Sequence, residues 1–290
     1  LLAIVIPYYK LTFFEETLQS LADQTNKRFK VYIGDDASPE NPEIALKKFE
    51  GQFDFIYHRF KSNLGGTSLT QQWERCIALI DDEEWVNILG DDDVLGKNVV
   101  EEFYKNEQLR KKSNVCRFAS VKIDENSNAF SEIYTHPQFE TRYDFLERKT
   151  RSSLSEYFFR ISELSQSGFK SFPLGWYSDI LAVLEVAGSK QIFTCNDAVI
   201  YIRISRISIS GNYRNTRQKY DASFLYHYYL LNNHGFTFAK EQKEIFLQQL
   251  TRSYLSNKKN LNHFFKVQFA LLKHGNIKNY FKFVGKIFSN

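Results

Sequence analysis

Three adjacent aspartates, Asp91, Asp92 and Asp93, close the stretch "NILGDDDVLG" directly after a run of strand-forming residues. Like charges side by side repel one another, so such a cluster suits a place where a cation completes it. Mg2+ and Mn2+ are hard ions that take carboxylate and water oxygens, and one or two carboxylates suffice to hold one. A second acidic pair, Asp35 and Asp36 in "VYIGDDAS", follows an earlier strand-like run. A third acid, Asp179, sits in "GWYSDILAVLE", where Ser178 or Asp179 could open a helix. Each has a plainer reading. The trio could be an exposed acidic turn, the pair could cap the turn-rich "ASPENPE", and Asp179 could be a helix N-cap.

The elements that would position these acids alternate. "LAIVIPYY" is apolar and strand-like, and "TFFEETLQSLADQ" places Phe13, Phe14, Leu18, Leu21 and Ala22 at helical spacing behind Thr12, an N-cap candidate. "FKVYIGDD", "FDFIYHRF" and "EWVNILG" read as further strands, with "IALKKFE" and "SLTQQWERCIALI" as the helices between them. This β-α-β order predicts a mostly parallel sheet covered by helices. Ligands of such sheets lie outside the carboxyl ends of the strands, where Asp35-Asp36 and Asp91-Asp92-Asp93 both fall. Downstream, "NVVEEFYKNEQLRKK" reads as one amphipathic helix, "VCRFASVKI" as a strand and Tyr143 to Phe172 as helical.

Composition limits the alternatives. The 290 residues are 43% hydrophobic, enough for a full core. Cys76, Cys116 and Cys195 are far apart and form no CxxC, which suggests neither a disulfide framework nor a zinc site and fits a reducing cytoplasm. No run reaches the roughly 18 apolar residues of a membrane span. A dinucleotide-dependent oxidoreductase would need a GxGxxG turn after the first strand, and "PYYKLTFF" contains no glycine. A metal-dependent phosphohydrolase could use an aspartate cluster but would leave "GDDAS" unexplained.

"VIPYYK", "VYIGDDAS" about thirty residues later, "NLGG" before a helix and "ILGDDDVL" after the fourth strand together resemble the nucleotide-binding half of family 2 glycosyltransferases. "LGWYSDILAVLE" followed by "AVIYIRISRISISG" is similar to that family's acceptor side. The resemblance covers roughly residues 1 to 210. It implies a GT-A (Rossmann-like) α/β fold with a mostly parallel central sheet, a donor half over 1–98 and an acceptor half over 99–210. Residues 211–290 would form a helical, basic C-terminal extension. The activity implied is inverting transfer of a sugar from a nucleotide-diphosphate donor, UDP-linked by preference, to a hydroxyl of a bacterial surface glycan such as capsule, lipopolysaccharide or exopolysaccharide. The acceptor would be a glycan or a lipid-linked glycan. A non-catalytic nucleotide- or sugar-binding protein on the same scaffold is the alternative.

The same resemblance assigns roles. Asp92 and Asp93 take the place of the DxD-type pair that holds Mg2+ or Mn2+, with Asp93 the direct ligand and Asp92 the partner of ribose or of a metal-bound water; Asp91 is additional. The family more often has an acid where this chain has Gly90. Asp35 and Asp36 approach the nucleobase and ribose, and a carboxylate can accept the imide N–H of uracil. Pro7 and Tyr8 line that pocket, Tyr8 as a stacking face or else as a core aromatic. Arg59, Asn63 and Gly65 are further donor contacts, while Lys61 reads as solvated surface. Asp179 is the catalytic base, with Trp176 and Tyr177 suited to a sugar acceptor or to core packing. Glu185 reads as structural. Arg203 and Arg206 approach the diphosphate or an acidic acceptor, or else lie outward on a plain strand.

The tail is a separate electrostatic object. No acidic residue follows Glu244, and Arg252 with seven lysines gives Ile245–Asn290 a charge of +8 within a whole-chain +4, leaving the first 244 residues at net −4. In "NIKNYFKFVGKIF", Lys278, Lys282 and Lys286 share one helical stripe, and Ile277, Tyr280, Phe281, Val284 and Phe288 another. A basic amphipathic helix of this kind lies on anionic membranes or docks on its own protein's core. The first reading places the chain at the inner face of the cytoplasmic membrane. Nucleic acid is not an expected partner, because the basic residues alternate with large apolar ones.

Overall fold

The computed structural model describes residues 1–147, 152–256, 260–275 and 277–288. They belong to two compact units, one formed by residues 1–171 with 178–211 and the other by residues 172–177 with 212–290.

The first unit begins with strict alternation: β1 (Leu2–Tyr8), α1 (Phe14–Ala22), β2 (Phe29–Asp35), α2 (Glu43–Lys47), β3 (Asp54–Arg59), α3 (Leu69–Ile77) and β4 (Trp85–Ile88). It continues through β5 (Val94–Leu95), α4 (Val99–Lys105), α5 (Glu107–Arg110), β6 (Val115–Ile123), β7 (Phe139–Glu140), α6 (Arg142–Glu147), β8 (Tyr157–Arg160), α7 (Ile161–Ser167), α8 (Ser178–Ala187) and β9 (Ile192–Arg203). The sheet runs β3-β2-β1-β4-β8-β6-β9-β5, with β7 on β9. Strands β1, β2, β3, β4, β6 and β9 share one direction, and β5, β7 and β8 oppose it.

β1 explains why the sheet is covered on both sides. Leu2, Ile4, Ile6 and Tyr8 enter one apolar core, while Ala3 and Val5 enter another on the opposite face. A strand buried on both faces must be apolar without alternation, which is how "LAIVI" reads. Register then aligns the carboxyl ends: Tyr8 pairs with Asp35, and Asp35 with Arg59. Every acid the sequence singled out before residue 100 therefore lies at one edge of the unit.

Three expected elements differ. Tyr143 to Phe172 is not one helix, because Tyr157, Phe158 and Phe159 are wholly buried as β8 between β4 and β6. Residues 148–151 of that stretch lie outside the described residues. The helix expected after the aspartates breaks at Asn106, whose side-chain amide donates back to the Glu102 carbonyl at 2.9 Å. Thr12 does not cap α1; Phe13 occupies that position without a side-chain cap. Ser68 does cap α3, accepting from the Gln71 N–H at 3.4 Å.

In the second unit α9 (Thr216–His234), α10 (Lys240–Ser256), α11 (Leu261–His274) and α12 (Ile277–Phe288) pack in sequence, and α9 also meets α11. Phe224 stacks on His263 at 4.0 Å, and Tyr177 stacks on Tyr226 at 4.6 Å. Burial pushes the His227 imidazole down to about 4, so it stays neutral inside this bundle. α12 docks through Phe283, which lies 5.7 Å from the Tyr254 ring and is not on the expected apolar stripe; Phe281 of that stripe is exposed. Among the described residues no helix is long and apolar enough to cross a membrane.

Beneath the strand ends, Arg117 of β6 and Glu156 form a fully buried ion pair, with Nη2 at 3.0 Å and Nε at 3.2 Å from the carboxylate. Ser120 donates to the other Glu156 oxygen at 2.9 Å. Removing one partner of a buried pair strands the other charge in a low-dielectric interior. Glu156→Ala is expected to lower the unfolding free energy in urea by about 3 kcal/mol. A loss under about 0.5 kcal/mol, the usual range of a surface substitution, would contradict this account.

Candidate active site

The three aspartates point to three different places. Asp91 Oδ2 accepts from the Tyr9 and Lys10 backbone N–H groups, both at 2.8 Å, and so holds the chain leaving β1. Asp93 is buried: Oδ2 accepts from Ser155 Oγ at 2.5 Å and Oδ1 from the Arg203 N–H at 2.8 Å. Asp92 is half-buried, and among the described residues no hydrogen bond reaches its carboxylate. Burial, and then repulsion from Asp93 and Asp91, push the Asp92 carboxyl well above the usual carboxylate range. Burial also raises Asp91, opposed by the Lys10 and Tyr9 N–H groups.

Neighbouring elements immobilise this loop. Arg203, at the end of β9, donates from Nε to the Asp92 carbonyl at 2.9 Å, from Nη1 to the Asp124 carbonyl at 2.8 Å and from Nη2 to Glu16 at 2.7 Å. Its side chain is fully buried and engaged by protein groups, so it does not lie outward; it anchors the aspartate loop. Thr17 Oγ1 donates to the Asp93 carbonyl at 2.9 Å, and Ser155 Oγ also accepts from the Gly90 N–H at 3.1 Å. Gly90 is tightly confined, since a Cβ there would lie 3.0 Å from Asp92 Oδ1 and 3.1 Å from Asp93 Oδ2.

The residues expected on the donor side gather at the ends of β2 and β3. Asp35 is 0% exposed: Oδ1 accepts from the Ser38 N–H at 2.7 Å, and Oδ2 from Tyr57 at 2.5 Å and Arg59 Nη1 at 2.6 Å. Arg59 Nη2 also reaches the Ser38 carbonyl at 2.8 Å, and its side chain is about half exposed. Asp36 accepts from Leu64 N–H at 2.6 Å and Gly65 N–H at 2.9 Å and pairs with Arg75. A Cβ at Gly65 would lie 2.7 Å from Asp36 Oδ2, which is why that turn needs glycine. Asn63 Oδ1 accepts from the Gly66 N–H at 2.6 Å on the exposed side of the same turn. Pro7 is half-buried in β1. Tyr8 offers no stacking face: it is 0% exposed, 4.6 Å from the Phe14 ring, with its hydroxyl on the Glu40 carbonyl. The exposed aromatic at this rim is Tyr9, one residue on.

Asp179 stands in the first turn of α8, half-buried, and Oδ2 accepts from Ser152 Oγ at 2.9 Å. Ser152 Oγ is also 2.7 Å from the buried Tyr157 hydroxyl. Ser152 and Ser155 thus tie Asp179 and Asp93 to one short segment. Its ends can be at most about 10 Å apart, three residues at full extension. Neither serine was legible as functional in "RSSLSE", which has no spacing that marks it, and the same holds for Thr17 and Tyr57. Arg206 lies exposed beyond β9, and Glu185 is within α8.

The donor set fits a hard divalent cation: among the described residues the Asp92 carboxylate accepts no hydrogen bond, and it stands at a strand end beside two further carboxylates. A different cluster, Glu102, Cys195 and Asp197, brings one ligand atom from each within 4.8 Å. It fits a metal poorly. Glu102 already engages Lys105 at 2.8 Å, and burial pushes the Cys195 thiol up, away from the thiolate a metal requires.

The sheet's parallel majority, with six of its nine strands in one direction, and the acids at its carboxyl edge are the arrangement expected of a GT-A fold. Residues 3–165 match the model of Glycosyl transferase family 2, more than half of the chain, and the chain belongs to that family. Its fold is similar to that of S. aureus TarS 1-349 in complex with UDP-GlcNAc, at 17% identity and a TM-score of 0.65 over 93% of this chain and 79% of that one. The same protein in complex with UDP aligns at 18% identity and 0.63, over 89% and 73%. The mannosyltransferase PcManGT from Pyrobaculum calidifontis, in complex with GDP-Man and Mn2+, aligns at 13% identity and 0.60, over 99% and 79%. A comparison with curated protein sequences finds no match.

The crowding at Asp92 has a measurable consequence. A carboxyl raised in the folded chain keeps its proton to higher pH there than in the unfolded chain. Stability is therefore lost as pH climbs from the ordinary carboxylate range through the raised value. In metal-free protein Asp92→Asn is expected to raise the thermal midpoint near pH 7, with the gain vanishing near pH 3, where both forms are protonated. A lower midpoint near neutral pH would contradict the geometry described for Asp92.

Proposed function

We propose that this glycosyltransferase moves a sugar from a UDP-linked donor to a hydroxyl of a growing bacterial surface glycan, with inversion at the anomeric carbon. The observation that carries the reading is the division of labour in the trio, with Asp91 and Asp93 committed to the protein and Asp92 open. Asp92 is accordingly the direct ligand of Mg2+ or Mn2+, and Asp93 holds the loop that presents it. When bound, the cation neutralises the donor diphosphate and eases its departure. The likeness to TarS structures holding UDP-GlcNAc and UDP, and to PcManGT holding GDP-Man and Mn2+, supports a nucleotide-sugar donor of this kind.

Around that donor, Arg59 and Asn63 form the accessible rim. Asp35 and Asp36 shape the pocket by fixing Arg59, Tyr57 and the Gly65 turn, and Tyr9 supplies the exposed ring. Pro7 lines its floor. Asp179 accepts the proton of the acceptor hydroxyl as its oxygen attacks the anomeric carbon, and the bond from that carbon to the diphosphate breaks. Ser152 orients the carboxylate by donating to one of its oxygens. In the second unit Trp176 and Tyr177 line a cavity of about 220 Å3 with Lys219, Tyr220 and Arg252, and the Lys219 ammonium lies 4.7 Å from the Trp176 ring centre. Aromatic faces beside cations suit a sugar chain that carries negative charge.

Calorimetry with UDP, GDP and dTDP, with and without Mn2+, tests the donor side. UDP is expected to bind only with Mn2+, and Asp92→Asn to abolish that binding. Asp179→Asn is expected to keep UDP binding and lower the turnover number about 100-fold or more, the usual contribution of a general base. UDP binding indifferent to Mn2+ and to Asp92→Asn would overturn the metal assignment. Binding without transfer for any UDP-sugar would favour a non-catalytic binding protein on this scaffold.

A further inference from the structure

Helix α11 carries apolar residues on two faces, and among the described residues only one face is covered. His263, Val267, Ala270 and Leu271 are buried in the bundle. Leu261 (75% exposed), Phe265 (66%), Phe269 (50%) and Leu272 (75%) lie elsewhere on the same helix. At about 100° per residue these four fall within roughly 80° of one another, a continuous stripe separate from the buried face. Phe236, after α9, is 81% exposed and extends it, since the Lys273 ammonium lies 5.1 Å from the Phe236 ring centre and 5.7 Å from that of Phe269. A surface helix of a soluble protein ordinarily shows one apolar stripe and one polar face. Contiguous exposed aromatic and aliphatic side chains of this kind mark an interaction surface.

The charge around the stripe says what covers it. Lys266 and Lys273 border it, and no acidic side chain occurs after Glu244 while eight cationic ones do. Two copies meeting through this face would bring like charges together. A bilayer with anionic headgroups instead offers an apolar layer to the stripe and negative charge to the lysines, whose alkyl stems can lie along the apolar surface while their ammonium groups reach outward. α11 has 14 residues, too few to cross the hydrocarbon layer, so it would lie along the interface.

We propose that the exposed face of α11, together with Phe236, docks this chain on a membrane surface rich in anionic lipid. The docking helix is thus α11 rather than the more basic α12, whose Phe283 is occupied by the bundle. The proposal is independent of the donor chemistry and is read without any transfer assay.

Cosedimentation of the full chain with vesicles of phosphatidylcholine, alone or mixed with phosphatidylglycerol, tests it. Binding to the anionic vesicles is expected to exceed that to neutral ones by about tenfold or more and to weaken as salt is raised. Phe265→Ser with Leu272→Ser is expected to lower it about tenfold or more, with the thermal midpoint unchanged because both side chains are exposed. Lys266→Gln with Lys273→Gln, which leaves the stripe intact, is expected to weaken anionic binding and spare the neutral background. Absence of binding to anionic vesicles, or binding that neither pair of substitutions reduces, would overturn the proposal. So would light scattering that shows a dimer converted to monomer by the serine pair, which would assign the face to a second copy.

Discussion

The site depends on where Asp93 puts its charge. Buried at the end of the parallel strands, its carboxylate is satisfied by Ser155 on one side and the Arg203 backbone on the other. A buried carboxylate without such partners would be strongly unfavourable, so both partners are required by the placement itself. Their geometry fixes the loop that follows β4. Arg203 adds its guanidinium to the Asp92 carbonyl and to Glu16 of α1, linking the strand ends to the first helix. With Asp91 turned toward the chain leaving β1, Asp92 is the member of the trio whose carboxylate has no hydrogen-bond partner among the described residues.

This arrangement leaves one of three adjacent charges unfavourably placed. Three carboxylates in sequence would be an unfavourable feature of an ordinary turn, and two are neutralised in effect by donors that the fold supplies. The third keeps its crowding, visible in a carboxyl held far above its usual range. Gly90 belongs to the same economy of space, because a side chain there would press on both Asp92 and Asp93. The strap Ser152–Ser155 carries the constraint onward to Asp179, so that the aspartate loop and Asp179 share one support.

Much of this was legible in the chain. Continuous apolar strands, helical spacing between them and acids at strand ends predicted the alternation from β1 to β4 and the edge where the acids gather. The individual carboxylates were not separable, because sequence places Asp91, Asp92 and Asp93 at one strand end but does not say which oxygens meet Ser155, Arg203 or the chain after β1. Those partners lie 62, 110 and 81 residues away. Tyr8 and Arg203 illustrate the same limit: an aromatic and a cation near a site read as ligand contacts, yet both are buried as structure. β8 was missed because its four residues sit inside a polar, helix-like stretch and are strand only by virtue of β4 and β6 on either side. The exposed stripe on α11 went unread for the opposite reason, since which of two apolar faces is covered depends on the packing of α9 and α10.

The most direct test is a crystal structure of the wild-type chain grown with UDP and Mn2+, with the ion located by its anomalous signal. The account predicts a single ion bonded to an Asp92 oxygen and to the diphosphate, with Asp93 still held by Ser155 and Arg203. An ion bonded to Asp93 in place of Asp92, or a nucleotide bound with no ion near the trio, would contradict it.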